Sequence, residues 1–379
     1  MKRQRREITA PADAAAIHYT LEPAPEATAL GAIWRTLEGR AEGSFFQSWG
    51  WVGTWYAALP RSTPVLLFTA ASRGETICLG LLVRKGRRRH FLTETGDRSL
   101  DELTIEHNGL LVDRRAMTLL ITDLLPALFA MLPPKAELVM SGVPDAYLDA
   151  PVVDGISCEV KAAKTVHIAE LKDMADDCLS SLKKGAQSKI RQSLRRYAHL
   201  GEIRLTEARD VKEAIAFFGR LTVFHQSHWQ ARGKRGAFAS AFIRQFHETM
   251  IENSFAEQGI QLLHVTAGTA SIGYLYNLRY RDRIYAYQSG FDYTLVAAAR
   301  PGFLCHWLAL RHNRQDGALV YDFLAGTNRM KQAFADRTET LYWLQFRRKT
   351  LLYALESGLR STKRAALALS RSGRGSTLR

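Results

Sequence analysis

The chain predicts an α/β (α+β) fold of two tandem domains, each a mixed central sheet flanked by helices. Three observations carry that expectation. Its 379 residues are long for one domain and comfortable for two, and a 46% apolar share supplies real cores. Residues 65–96 and 260–290 repeat one pattern: apolar strand, glycine-containing turn, second strand through Gly80 or Gly273, basic turn, third strand ending at Gly96 or Gly290. Each meander is followed by a helix and one more strand, which is the order of an α/β unit.

In chain order, residues 1–18 form a basic extension, 19–165 a first domain, 166–346 a second, and 347–379 a basic amphipathic tail. Phe45 to Leu59 is a tryptophan-rich helix capped by Ser48. Core packing accounts for Trp49, Trp51 and Trp55, and stacking on a sugar ring is the alternative, with Trp49 as its candidate. After the first meander, Arg114 to Met131 is a helix and Ala136 to Met140 a strand. Residues 179–200 are helical, with six Lys/Arg and no acid from Lys183 to Arg196. That run is either a solvated face or a phosphate-contacting helix acting through Arg191 and Arg195. Helices at Val211–Gln230 and Phe238–Phe255 cover the second sheet, and the second meander leads into helix Gly302–Gln315 and strand Ala318–Phe323.

Of the net charge of +15, the two ends hold about eleven: +3 in residues 1–7 and +8 in 346–379. Such ends suit an anionic surface, membrane or nucleic acid, more than an anionic substrate. The apolar stretch Ala116–Leu132 is broken by Asp123 and Pro126, so no membrane-spanning helix is expected. The first twenty residues lack a secretory apolar run. Four scattered cysteines without a CxxC pair fit a reducing cytoplasm and argue against a zinc site.

The richest stretch is 283–331. A helix opened by Pro301-Gly302 offers unpaired N–H groups beside Arg300, a place to hold phosphate. The strand before it ends at Ser289-Gly290 and is expected to splay from its neighbour, leaving backbone free for an extended pantetheine arm. The carrier residues are then Ser289, Gly290, Arg300, Pro301, Gly302 and Phe303. Asp322 lies in the apolar strand LVYDFLAG, on one face with Val320 and Leu324, where a carboxylate must be paired or serve chemistry. An ion pair with Arg329 or Lys331 is the plain alternative. His225, His228 and Trp229 close a helix, and a histidine there is a natural proton acceptor. Tyr287 is placed to protonate a leaving thiolate, or else packs. In the first domain Asp97 and Asp101 take the place of the carrier turn with no Pro-Gly start. That half is therefore expected to lack a carrier and to form a wall of the acceptor site.

The runs YAYQSGFD, RPGFL, YDFLAG and the Met330-Lys331 pair resemble the C-terminal part of the CelD-like (cellulose-biosynthesis) acyltransferases of the GNAT superfamily, relatives of the tandem-domain Fem transferases. SKIRQSLRR and FHQSHWQARGKRGAF are similar to that family's arginine-rich helix and His-x-x-x-Trp helix end. The resemblance implies two GNAT-like domains, acetyl-CoA or another acyl-CoA in the second, and no metal. It also implies a polysaccharide or lipid-linked sugar acceptor between the domains, as in cellulose- or holdfast-type exopolysaccharide. The family has Tyr where Met330 stands, which leaves Lys331 as the polar group of that pair.

The expected chemistry is direct acyl transfer. An amine attacks the thioester, Asp322 or His228 takes its proton, and an N–H near Ser289–Gly290 holds the oxyanion. Arg191, Arg195, His225, Trp229, Trp49 and Asp101 are the acceptor-side candidates. The setting is cytoplasmic, peripheral at the inner membrane through the basic tail. Two alternatives stand: a Fem-like aminoacyl-tRNA-dependent transferase, against which the Pro-Gly start weighs, and a cyclic di-GMP receptor using Arg191 and Arg195 or Arg87-Arg88-Arg89.

Overall fold

The computed structural model describes residues 16–152 and 155–349; the extension through residue 15 and the tail from 350 on lie outside the described residues. The first half runs β1 (Ile17–Pro23), α1 (Ala27–Glu38), α2 (Trp49–Ala58), β2 (Val65–Ser72), β3 (Glu75–Lys85), β4 (Arg89–Leu92), β5 (Leu111–Val112), α3 (Leu125–Met131) and β6 (Glu137–Val143). After β7 (Ile156–Glu170) and α4 (Lys184–Tyr197) the order recurs. It reads β8 (Ile203–Glu207), α5 (Val211–Gln230), α6 (Ala241–Ser254), β9 (Ile260–Ala267), β10 (Ala270–Tyr280), β11 (Arg283–Phe291), α7 (Pro301–Gln315) and β12 (Val320–Ala325). Helix α8 (Arg329–Phe334) and strand β13 (Arg337–Arg348) follow.

All these strands join one sheet, in the order β1-β2-β3-β4-β6-β13-β7-β12-β11-β10-β9-β8, with β5 beside β3. The halves match strand for strand, but their last strands are exchanged. β7 follows the first half and pairs with β12 of the second; β13 follows the second half and pairs with β6 of the first. The two exchanged strands also pair with each other from Arg337↔Ile168 to Arg348↔Ile156. The chain therefore does not divide at 165/166 as expected: β7 runs through that point without a break, bonded on both sides.

The ladder in each half contains one short parallel step, Arg89–Phe91 on Glu137–Val139 and Arg283–Tyr285 on Val320–Asp322. Beyond these steps the strands part. The other elements follow local rules. Ser48 caps α2 by accepting the Trp51 N–H at 3.3 Å, and Asp210 caps α5 by accepting that of Glu213 at 2.8 Å. Pro301 opens α7, where its missing N–H costs nothing. The expected helix 114–131 is instead a 3₁₀ turn, a π turn at Leu120–Leu124 and the short α3, with Pro126 at the α-helical start.

Helices α1, α2, α5 and α6 share one face of the sheet and one apolar core, in which Trp51 meets Phe246 at 5.2 Å and Phe46 meets Tyr285 at 5.8 Å. Trp51 and Trp55 belong to that core, while Trp49 packs half-buried at its edge. Helix α5 lies so close on β11 that a Cβ at Gly290 would sit 2.2 Å from the Leu221 carbonyl oxygen. Only glycine fits there, and the contact fixes the middle of α5 over the end of β11. Gly290→Ala is expected to cost about 1–3 kcal/mol through forced backbone displacement. The check is a lower denaturation midpoint at unchanged m-value.

Candidate functional site

Where β11 and β12 part, a cleft of about 620 Å³ opens, walled by residues 286–291 and 323–325, the start of α7, the end of α5 and residues 328–331. All six expected carrier residues line it: Ser289, Gly290, Arg300, Pro301, Gly302 and Phe303. The Arg300 N–H donates to Ser193 Oγ of α4 at 3.0 Å, and the Phe303 and Leu304 N–H groups turn back to the Arg300 carbonyl. Pro301 has no N–H, so the Gly302 N–H is left without a partner among the described residues and faces the cleft beside Arg300. Helix α4 thus serves to seat α7, using its buried face of Ala186, Ile190, Ser193 and Tyr197.

The opposite wall comes from the first half, through Thr104 and Glu106. The route is a plug. Where β4 and β6 part, the gap corresponding to the cleft is filled by the chain's own segment 103–109. Asn108 donates its side-chain amide to Leu92 O at 3.0 Å and its N–H to Gly142 O at 3.0 Å, tying it to both diverging strands. Gly142, at φ +65°, lies so close that a Cβ would meet Ile105 O at 2.8 Å. The first half's carrier gap is therefore closed, and the segment closing it projects Glu106 into the other half's cleft. This half reaches the cleft through Thr104 and Glu106 and not through the two aspartates. Asp101 does not line the cleft; it accepts from the Thr95 N–H and hydroxyl, both at 2.8 Å. Glu106 carries one sequence signal in retrospect, a carboxylate after the apolar pair Leu103 and Ile105, but its aim is a matter of the plug.

Glu106 is 4% exposed and accepts the Ala325 N–H at 2.6 Å. Burial raises its pKa, an effect that the Ala325 hydrogen bond only partly offsets. Lys331 faces it from α8, whose cap Asn328 accepts the Met330 and Lys331 N–H groups. The Lys331 ammonium donates to Leu324 O at 3.0 Å and Ala325 O at 2.9 Å, and burial lowers its pKa. Both groups thus grip the same peptide units of β12. Leu324 there has φ +59°, and the ladder to β7 slips between Asp322 and Ala325. This bulge breaks the alternation that put Val320, Asp322 and Leu324 on one face.

Asp322 is accordingly corrected as the proton acceptor. It is fully buried beneath the cleft and does not line it. One oxygen accepts the Leu324 N–H at 2.7 Å; the other lies 2.9 Å from His107 Nε2 and 3.2 Å from the Arg283 guanidinium. Burial alone raises its pKa, but His107, Arg283 and the Leu324 N–H outweigh that and hold it below the usual carboxylate range. Its ion partners are these two, not Arg329 or Lys331.

His225, His228, Trp229 and Tyr287 do line the cleft. His225 donates from Nδ1 to Ser289 O at 3.1 Å and accepts the Ala237 N–H at Nε2, so both nitrogens are engaged and burial keeps it neutral. His228 stacks on Tyr293 at 4.2 Å, and its Nδ1 accepts from Arg232 at 2.9 Å, which corrects it as a base: the lone pair is taken. Burial, then Arg232, lowers its pKa. The Tyr287 hydroxyl donates to Leu103 O, and burial pushes its pKa up. Three further candidates lie away from the cleft. Arg191 and Arg195 are exposed on α4, and Trp49 lines a second cavity with Arg35, Glu38 and Arg281. Among the described residues Glu207, His312 and Asp316 have metal-ligating atoms within 4.8 Å, but the Arg279 guanidinium, 3.7 Å from Glu207 and 3.5 Å from Asp316, already supplies a cation.

A sheet that parts over a helix start, with a buried acid facing the gap, is the arrangement against which the family comparison is set. Residues 184–332 match the family model of the acetyltransferase (GNAT) domain, which supports an acyltransferase. In fold the chain is similar to FemX, with TM-score 0.56 and 13% identity over 88% of this chain and 98% of that one. It is also similar to the C-terminal domain of a putative lysylphosphatidylglycerol synthetase from Agrobacterium fabrum, with TM-score 0.54 and 12% identity over 89% and 96%. L-PGS from Bacillus licheniformis gives TM-score 0.51 and 11% identity over 89% and 97%. No curated protein matches the chain. Among the described residues no helix is long and apolar enough to cross a membrane. GNAT domains use acyl-CoA, and this cleft fits one: a free helix-start N–H, the cations Arg300, Arg329 and Lys331, and strand ends released from pairing.

Removing one partner from the buried Asp322 cluster strands the others, so Asp322→Ala is expected to cost about 3–5 kcal/mol. Because the folded pKa lies below the unfolded value of about 3.9, Asp322 stabilises fully above that value and the contribution is lost as pH falls through the folded pKa. Denaturation of Asp322→Asn should therefore depend less on pH below about 4 than that of the wild type.

Proposed function

We propose that the chain transfers an acyl group from acyl-CoA to an amine of a saccharide acceptor, with Glu106 as the proton acceptor. The observation that carries this reading is the parting of β11 and β12 after Tyr285 and Asp322, over an α7 start with a free N–H and opposite a buried glutamate. The pyrophosphate rests at Gly302 with Arg300 beside it, and the thioester reaches up between the strands. The acceptor amine attacks the thioester carbonyl from the side of Glu106. Glu106 takes the proton, the carbonyl oxygen is held by strand N–H groups near Ser289–Gly290, and the thiolate leaves and is protonated from solvent. A raised glutamate pKa suits this task, since a base works best with a pKa nearer the working pH. Lys331 holds the β12 bulge that presents the Ala325 N–H to Glu106. The saccharide class rests on the resemblance to the CelD-like acyltransferases, which places the acceptor in exopolysaccharide assembly.

A second reading has one observation in its favour: the exposed Lys184, Arg191 and Arg195 of α4 lie beside the helix that α4 seats. They suit the phosphates of a tRNA-borne donor, and RNA that co-purifies and dissociates steeply with salt would favour it.

Calorimetry with acetyl-CoA tests the first reading. Arg300→Ala is expected to weaken binding about tenfold to a hundredfold, the worth of a charged hydrogen bond. No acetyl-CoA binding by the wild type would reject the proposal. For the base, Glu106→Gln should lower kcat about 10²–10⁴-fold with little change in KM for the acyl-CoA. The rising limb of the wild-type pH–rate profile should lie above the ordinary glutamate value of about 4.3 and vanish in the variant.

A further inference from the structure

We infer that one basic edge of the sheet, formed by the β3–β4 hairpin and the end of β13, docks on an anionic lipid bilayer. Arg84, Lys85, Arg87, Arg88 and Arg89 put five cations in six positions, all exposed. Few acids answer them. Lys85 Nζ is 4.0 Å from Asp97 and Arg89 Nε 3.5 Å from Glu137, while Arg84, Arg87 and Arg88 meet no carboxylate among the described residues.

The sheet adds a second source of charge that the sequence keeps far away. Arg89 is in register with Glu137 across β4 and β6, and Glu137 is in register with Arg347 across β6 and β13. β13 therefore ends beside the hairpin, where Arg347 pairs with Glu137 at 3.1 Å, Arg348 donates to the carbonyls of Phe129, Ala130 and Leu132, and Lys349 is exposed. The chain leaves the described region at that corner, and residues 350–379 hold six Lys/Arg against one Glu. Lys349, 260 residues beyond Arg89 in sequence, thus joins the electropositive surface of the hairpin.

The chemistry favours lipid over nucleic acid. The recess between the hairpin and β6 is lined by Lys85, Arg87, Arg88, Arg89, Glu137 and two glycines, with no aromatic ring on which a base would stack. The adjoining stretch mixes its cations with Leu351, Leu352, Leu355 and Leu359, the composition that enters the headgroup region. Direction agrees as well. β12 and β13 are both antiparallel to β7, so β13 runs in the direction in which β12 enters the cleft, and its basic end at Ile156 of β7 lies ten residues beyond the level of Ala325 at Val166. An acceptor held at a bilayer surface would lie on the side of the acyl-transfer site. The docking surface itself does not depend on the identity of the acyl donor.

The test is co-sedimentation of the full chain with phosphatidylcholine vesicles with and without phosphatidylglycerol. Binding is expected only with the anionic lipid, weakening as salt rises. Arg84→Glu/Arg87→Glu/Arg88→Glu should lower partitioning about a hundredfold, from roughly 1 kcal/mol per basic residue at the surface. The same charge change on the distant helix, Lys184→Glu/Arg191→Glu/Arg195→Glu, should leave it nearly unchanged. Equal loss in both variants would mean that net charge alone is sensed and would overturn the proposal. So would wild-type binding by the hairpin variant, or a preference for duplex RNA over vesicles. If the triple reversal melts early, Arg87→Gln/Arg88→Gln reads the same effect at about tenfold or more. Acetyl-CoA calorimetry on each variant keeps a failure here distinct from a failure of the acyl-transfer reading.

Discussion

A carboxylate without access to water sits at the centre of the molecule, and much else follows from satisfying it. An ionised buried group persists only when charges and hydrogen bonds replace its hydration. Asp322 draws those partners from three places: Arg283 at the start of β11, His107 in the first half's plug, and the Leu324 N–H two residues along its own strand. The first contact holds β11 and β12 together at the parallel step. The second ties the plug across to the second half. The third bends β12 into the bulge that turns the Ala325 N–H toward Glu106 and two carbonyls toward Lys331. Removing Asp322 from the chemistry gives it a larger part in the geometry.

The exchange of β7 and β13 explains why the halves act as one body. Each half lends its last strand to the other, so neither sheet is complete without its neighbour. The helical layer reinforces this, with α2 and α6 packed through Trp51 and Phe246 in a core common to both. A duplicated fold then has room for divergence. The gap between β4 and β6 is plugged by Asn108 and its neighbours, the gap between β11 and β12 stays open, and the plug places Glu106 in the wall of the open one.

Elements written as local pattern were legible in advance. Helix α5 falls on the expected Val211–Gln230, with Asp210 found as its cap, and both meanders follow their glycine turns. The residues that line the cleft were legible for the same reason: a Pro-Gly helix start and a strand end are short-range signals. The pairing of distant segments was not. Nothing near Asp322 in the chain names His107, and nothing near Glu106 names Ala325, because those contacts depend on how two sheets meet. The expected helix 114–131 failed through Pro126 and a π turn, a local conflict that the apolar pattern conceals.

Sequence alone determined the two-fold repeat, the α/β class, the helix start at Pro301-Gly302 and the concentration of charge near the ends. Tertiary structure decided which acid faces the cleft, which histidines have a free lone pair, and where β7 and β13 lie. The division has a physical cause. Helix caps, turns and amphipathic periods are interactions between residues a few positions apart, so their energies are readable from the string. The burial of a charge, the closing of one gap and the opening of another are set by packing between segments far apart in the chain.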